Sequence, residues 1–371
     1  MAQPVKTMSG PRQSGWSRTW LGLLAALGLA LIWSDALASS RQGPLLIGFY
    51  DGWDAKARQD LPRRLSSLDV LAPMWVTVRG LQAQVVLEPD PGARMLLAAR
   101  KQPPLILPVV SNAHDDIWDR AAADAAILDP AVRAALIARL VALARTEAFH
   151  GYILDFENMS PKAQDGYPGL LAALRAALAS SGRETWVTAS VGGDRPLAPL
   201  AAASDTLVLM AYDACWATST PGPIAGEDWF EQVLARRLQG LDPQRVVLAL
   251  GSYGYDWPER APAQAIGAAE AIGLAASTRA KVARDPVSGN PWFSYVNKGQ
   301  RHTVWFLDAR TFADQARTSA AFGARGVALW RLGMEDPAIW SLPRPFGRPG
   351  LHPPRPTAAS PPHPCDPLPA R

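Results

Sequence analysis

Two cysteines in 371 residues, Cys215 and Cys365, are too few for a disulfide framework or a cysteine metal site. One stands near the opening of a loop and the other in a proline-rich tail, and they are not expected to pair. The 5 histidines show no paired spacing, which argues against zinc. No metal and no cofactor are expected. A glycine-rich phosphate turn is missing after the first strand-like run, which counts against a doubly wound nucleotide-binding sheet. Charge of one sign is also scarce. The 37 Lys+Arg against 33 Asp+Glu give a net +4, and the arginines are scattered, so nucleic acid is not an expected partner. No apolar run reaches the roughly 20 residues that a membrane span needs.

What is present is a globular composition, 48% hydrophobic and 19% charged, with 14 tryptophans. The first residues carry Lys6, Arg12 and Arg18. The apolar run Leu21 to Trp33 and the small-residue site Ala36-Leu37-Ala38 follow. A basic start, a short apolar stretch and a small-x-small site make an export signal, so residues 1–40 are expected to direct the chain to the periplasm or cell envelope. The alternative is an uncleaved anchor in the inner membrane through 21–33.

From residue 44 onward eight apolar runs alternate with longer helical or loop segments. The runs begin at Leu45, Val70, Leu105, Phe149, Trp186, Thr206, Val246 and Gly326. Continuous apolar runs are what parallel strands covered on both faces look like. The segments between them include Ala/Leu/Arg stretches of helical period, such as Ala131 to Ala144 and Leu170 to Ala179. Eight such units predict an α/β chain folded as a (β/α)8 TIM barrel over 41–345. Between the seventh and eighth runs, residues 258–304 exceed one helix and predict a small strand-bearing insertion on the rim. Residues 346–371, dense in proline, predict a disordered tail.

In such a barrel the carboxyl ends of the strands line the site. Here those ends carry Tyr50, Trp75, Asn112, Asp155, Glu157, Tyr212, Asp213, Tyr253 and Trp330. Residues two apart on a strand project to one side, so Asp155 and Glu157 point together while Leu154 and Phe156 face apolar packing. Neighbouring carboxylates repel, and one of them holds its proton to higher pH, which is how a general acid is made near neutrality. Aromatic rings suit the apolar faces of sugars, and carboxylates supply acid catalysis of glycoside cleavage.

The stretch Gly151-Tyr152-Ile153-Leu154-Asp155-Phe156-Glu157 resembles the Asp-Gly-x-Asp-x-Asp-x-Glu signature of glycoside hydrolase family 18. Met210-Ala211-Tyr212-Asp213 is similar to that family's Met-x-Tyr-Asp motif. Gly251-Ser252-Tyr253-Gly254-Tyr255-Asp256-Trp257 resembles the seventh-strand motif of the branch holding spore-cortex peptidoglycan hydrolases. Other segments, among them Trp330-Arg331-Leu332-Gly333, resemble family-18-like domains joined to polysaccharide deacetylases and glycosyltransferases. Two signature acids are absent, replaced by His150 and Ile153. Ile153 points inward beside Asp155 and Glu157, where the family has an acid thought to help the middle Asp cycle its proton. Without it the pKa of Asp155 should rise less than in a triad of acids.

The resemblance implies a substrate-assisted retaining mechanism on a β-linked N-acetylhexosamine polymer. In it Glu157 is the proton donor, Asp155 the partner of the acetamido N–H, and Tyr212 the donor to the acetamido oxygen. From their places at or beside the strand ends, Tyr50, Trp75, Asn112, Met210, Asp213, Tyr253 and Trp330 are expected to contact substrate, and the resemblance makes Trp330 the floor of the sugar pocket. Asn112 could instead simply end its strand. His302 is expected to be structural, with no carboxylate partner nearby in sequence, and Asp308 to cap the helix after it. Three functions stay open at this point. They are an exported hydrolase of peptidoglycan or an N-acetylglucosamine polysaccharide, a glycan-binding barrel without turnover, and an envelope scaffold.

Overall fold

A computed structural model describes residues 43–344, apart from residue 116, together with Cys365. The leader or anchor at 1–40 lies outside the described residues, as does the tail at 346–371 except for Cys365. Among the described residues no helix is long and apolar enough to cross a membrane.

Eight parallel barrel strands run in chain order. They are β1 (Leu45–Tyr50), β2 (in two pieces, Val70–Pro73 and Val76–Arg79) and β3 (in two pieces, Leu105–Ile106 and Val109–Ser111). Then come β4 (Gly151–Asp155), β5 (Glu184–Ser190), β6 (Thr206–Met210), β7 (Val246–Gly251) and β8 (Gly326–Trp330). Each pairs with the next, and β8 returns to β1 with Leu45 opposite Gly326, so the barrel closes. The breaks in β2 and β3 fall next to Pro73 and Pro108, which have no N–H for a ladder.

Strand parity sorts the core into two layers. Ile47, Phe49, Val70, Ala72, Leu107, Val109, Ile153, Trp186, Val208 and Ala328 fill the barrel interior. Leu46, Tyr50, Leu71, Trp75, Leu154, Phe156, Leu207 and Leu329 belong to the larger layer that packs against the helices. Those helices start where capping side chains satisfy their first N–H groups. Asp129 accepts from Ala131 and Val132 ahead of helix Pro130–Thr146, and Ser160 from Ala163 ahead of helix Pro161–Ala179. Both helices bury a leucine-rich stripe and extend beyond the segments read from periodicity alone.

β4 starts at a residue that has to be glycine. Gly151 has φ +150°, and a Cβ there would stand 2.0 Å from the Glu184 carbonyl oxygen. Gly151→Ala is expected to destabilise the fold by about 3 kcal/mol or more, because backbone must shift where β4 and β5 pair. Thermal unfolding of the variant measures this, and an unchanged melting temperature would refute it.

The insertion begins earlier than the sequence suggests. Tyr253–Pro258, directly after β7, is already a strand of a separate antiparallel sheet. That sheet also holds Gln264–Gly267, Ala283–Arg284, Pro291–Asn297 and Gln300–Phe306. Helix Ala268–Thr278 packs on one face through Ala268, Ala271 and Ala275 against Phe293, Val304 and Phe306. The other face turns Tyr253, Tyr255 and Trp257 toward the barrel mouth. The alternation Tyr-Gly-Tyr-Asp-Trp is thus a strand with two different neighbours. Gly254 allows the Gln300–Phe306 strand to come close, since a Cβ there would lie 2.2 Å from the Trp305 carbonyl oxygen.

Contrary to the expectation from their positions, Cys215 and Cys365 form a disulfide. Both are buried in a cluster with Ile224, Ala225, Tyr253 and Leu307. The loop after β6 brings Cys215 to a place that Cys365 reaches from 150 residues away, a contact set by tertiary packing rather than by spacing. Cross-linking so long a loop restricts the unfolded chain, so Cys365→Ser is expected to lower stability by about 2–4 kcal/mol under oxidising conditions. Urea unfolding with and without reductant checks it. The difference between variant and parent should vanish once reductant is present.

Candidate active site

β4 delivers Asp155 as its last residue and Glu157 just beyond it. Below them on the same side, Ile153 is fully buried in the barrel interior with Val109 and Trp186, so hydrocarbon lies on that side of Asp155. Asp155 is 6% exposed, and Thr188 Oγ1 donates to its Oδ1 at 2.5 Å. Burial pushes the Asp155 carboxyl up, and the Thr188 bond acts in the opposite direction. Its upward shift therefore needs no acid at position 153. The Glu157 carboxyl is pushed up to about 7, first by burial, then by the charges of Asp155 and Asp213. Thr188 had gone unremarked in the sequence. Its signal is a polar residue two positions after the inward Trp186, on the strand next to β4.

β6, two strands on from β4 past β5, supplies the next group. Met210, Tyr212 and Asp213 are all partly accessible at its carboxyl end. Burial and the charges of Asp155, Asp213 and Glu157 push the Tyr212 hydroxyl well above its usual range, so it keeps its proton and is a donor. Asp213 accepts hydrogen bonds from the hydroxyls of Tyr253 and Tyr255, the latter at 3.3 Å. Burial raises the Asp213 carboxyl, and those two bonds act against the rise. The Asp213 backbone has φ 59°, a left-handed conformation that Asp tolerates better than most residues. At the end of β8, Trp330 stacks on Tyr212 with centroids 6.3 Å apart and planes 14° from parallel. Phe49 meets its edge at 5.3 Å, and Tyr253 meets the edge of Tyr212 at 6.1 Å.

The structure therefore brings together Asp155, Glu157, Met210, Tyr212, Asp213, Tyr253 and Trp330. Three other residues read as substrate contacts lie elsewhere. Tyr50 is 1% exposed in the helix-facing layer, and its hydroxyl donates to Asp90 Oδ2 at 2.5 Å. The inward neighbour on β1 is Phe49. Trp75 is 3% exposed and packs beside Phe149, while Met74 faces the interior. Asn112 is fully buried, its amide engaged with backbone groups of Asp119 and Glu157. In each case a strand end was read as site-facing without asking which way parity turns the side chain.

His302 does have a carboxylate partner, one distant in sequence. Its Nδ1 lies 2.9 Å from Asp256 Oδ1, and the Tyr295 hydroxyl donates to Asp256 Oδ2 at 2.6 Å. This cluster knits three strands of the insertion on the face away from the barrel mouth. Asp308 caps helix Ala309–Ala321, accepting from Thr311 N at 2.9 Å, and also pairs with Arg284. Among the described residues no three His, Cys, Asp or Glu side chains are grouped to hold a metal ion.

A carboxyl group pushed up to about 7, set among aromatic rings at the carboxyl mouth of a parallel barrel, has the chemistry of enzymes that split glycosidic bonds. The chain belongs to glycosyl hydrolases family 18, whose model matches residues 98–335, and it is a glycosidase. It is 22% identical over 343 residues to an uncharacterized glycosylase, YvbX, of Bacillus subtilis, covering 88% of this chain and 98% of that protein. To the cortical fragment-lytic enzyme of B. subtilis it is 24% identical over 261 residues, 64% of this chain and 59% of the enzyme. The chain thus spans somewhat over half the length of that second relative. Among solved structures, a chitinase from Chromobacterium violaceum superposes with a TM-score of 0.73 at 27% identity, covering 80% of this chain and 97% of the chitinase.

Proposed function

We propose that the chain hydrolyses β-linked N-acetylhexosamine polymers, peptidoglycan or an N-acetylglucosamine polysaccharide, by a substrate-assisted retaining mechanism outside the cytoplasm. The observation that carries this reading is Glu157, a partly accessible carboxyl pushed up to about 7 beside Asp155 and Tyr212. The family is an exception to the two-carboxylate scheme, because the substrate supplies its own nucleophile. Glu157 gives its proton to the glycosidic oxygen as the bond to the anomeric carbon breaks. The acetamido oxygen of the same sugar bonds to that carbon, forming an oxazolinium ion and releasing the leaving sugar as an alcohol. Asp155 accepts a hydrogen bond from the acetamido N–H and offsets the positive charge that develops there. The protonated Tyr212 hydroxyl donates to the acetamido oxygen and aligns it. Water then attacks the anomeric carbon, breaking its bond to the acetamido oxygen and so restoring the acetamido group, and gives a proton to the now ionised Glu157, which restores the enzyme.

The likeness to a chitinase and a cortical fragment-lytic enzyme supports the substrate class. Trp330, stacked on Tyr212, suits the apolar face of the reacting sugar. The leader-like sequence of residues 1–40 supports export, and so does the Cys215–Cys365 disulfide, since disulfides persist in oxidising compartments. Ile153, apolar where the family pattern has an acid, favours a second reading, a barrel that binds glycans without turning them over. Incubating the purified protein and its Glu157→Gln variant with peptidoglycan, chitin oligomers and poly-N-acetylglucosamine separates the two. New reducing ends that depend on Glu157 support hydrolysis. Binding with no such release leaves the lectin.

A further inference from the structure

Asn112 and Arg120 together hold the segment that carries Glu157. The ladder between β3 and β4 ends with Ser111 opposite Asp155, so Glu157 lies past the last regular pair. Beyond that point the Asn112 side chain takes over the work of a peptide group. Its Oδ1 accepts from the Glu157 backbone N–H at 2.9 Å, and its Nδ2 donates to the Glu157 carbonyl at 3.0 Å. The same Nδ2 donates to the Asp119 carbonyl at 3.1 Å, and the Asn112 carbonyl accepts from Asp119 N at 2.7 Å. Asp119 caps helix Arg120–Leu128, so Asn112 ties the Glu157 backbone to the start of that helix. Arg120, the first residue of the helix, donates to the next residue along. Its Nε reaches the Asn158 carbonyl at 2.7 Å and its guanidinium the Asn158 Oδ1 at 3.0 Å. Asn158 is held at φ 54°, the left-handed region, so the chain turns sharply right after Glu157.

Only an amide of this length offers a donor and an acceptor together at that point. Asp lacks the donors, Ser lacks the reach, and an apolar side chain leaves buried N–H and C=O groups unpaired. We propose that Asn112 is a positioning residue for the proton donor, with Arg120 as the second hold. Both act through the Glu157–Asn158 backbone, so that the carboxyl is presented to the glycosidic oxygen and not to bulk solvent. The proposal rests on the reading of Glu157 as the acid. General acid catalysis needs hydrogen-bond reach to the atom that takes the proton, and small displacements from that geometry are costly.

The test compares one aryl-activated and one natural leaving group. From a 2,4-dinitrophenyl glycoside of di-N-acetylchitobiose the phenolate departs without protonation, whereas the leaving sugar of a chitin oligomer needs it. Glu157→Gln fixes the scale in kcat/KM, which reports bond cleavage and not the later water attack that also uses Glu157, with a large loss on the oligomer and a small one on the aryl glycoside. Asn112→Leu is expected to follow it, losing about 10²-fold in kcat/KM on the oligomer and less than about 5-fold on the aryl substrate. Arg120→Met, at an exposed residue, should show the same bias at about 5- to 10-fold. Equal losses on both substrates in Asn112→Leu, with Glu157→Gln biased, would overturn positioning and leave a purely structural role. If Glu157→Gln itself shows no bias, the acid assignment fails and the proposal falls with it. If Asn112→Leu does not fold, Arg120→Met decides, and an unchanged ratio there refutes the proposal.

Discussion

Glu157→Gln is expected to lower kcat on a polymeric substrate by about 10²–10⁴, the usual worth of a placed general acid, while glycan affinity stays within a few-fold. The amide keeps the shape of the side chain but has no proton acidic enough to transfer. The surroundings should tolerate it, because burial and the charges of Asp155 and Asp213 already disfavour the ionised carboxylate. The parent enzyme needs Glu157 protonated, so its rate should hold below about pH 7 and fall as pH rises through that value. Reducing-end release across pH gives both readings, and isothermal titration with a chitin oligomer gives the affinity. A variant that keeps a tenth or more of the parent rate would remove Glu157 from the chemistry.

Asp155→Asn is expected to cost about 10²–10³ in kcat, since the developing positive charge on the acetamido nitrogen loses the carboxylate facing it. It carries a second signature in the pH profile. Asp155 is the leading charge that raises Glu157, after burial. Removing it lets Glu157 ionise more readily, so the residual activity should fall off at lower pH than in the parent. The sign follows from the role, because an acid that must be protonated works only below its pKa, and lowering that pKa moves the limb toward acid. Asp213→Asn should move the limb the same way by less, as the weaker of the two charges acting on Glu157. A limb that stays in place in Asp155→Asn would mean that Asp155 bears no charge beside Glu157.

Strand parity made the centre of the site legible. Asp155, Glu157 and the inward Ile153 follow from the two-residue repeat alone, and the interior packing of Ile153 agrees with it. The same repeat, applied to β1 and β2, selects Phe49 and Met74 and turns Tyr50 and Trp75 toward the helices. Their aromatic character drew the reading away from parity. The barrel itself was legible because eight apolar runs need cover on both faces, and the breaks in β2 and β3 do not disturb the count. Contacts between distant segments were not legible. The Asn112 amide meets Glu157 45 residues on, and His302 meets Asp256 across 46. No local pattern encodes such meetings. They appear only once the strands are laid side by side.

The link from Cys215 to Cys365 gives the chain a covalent topology. It closes a ring that holds β7, the whole insertion sheet and β8. A single cut by a protease inside that ring severs the backbone yet leaves one molecule of unchanged mass but for an added water. On a denaturing gel without reductant the nicked and intact forms would nearly coincide, and with reductant the nicked form would separate into two bands. The insertion strand that bears Tyr253 and Tyr255 would thus stay attached to the barrel whose mouth it lines, even after a cut in its own loops.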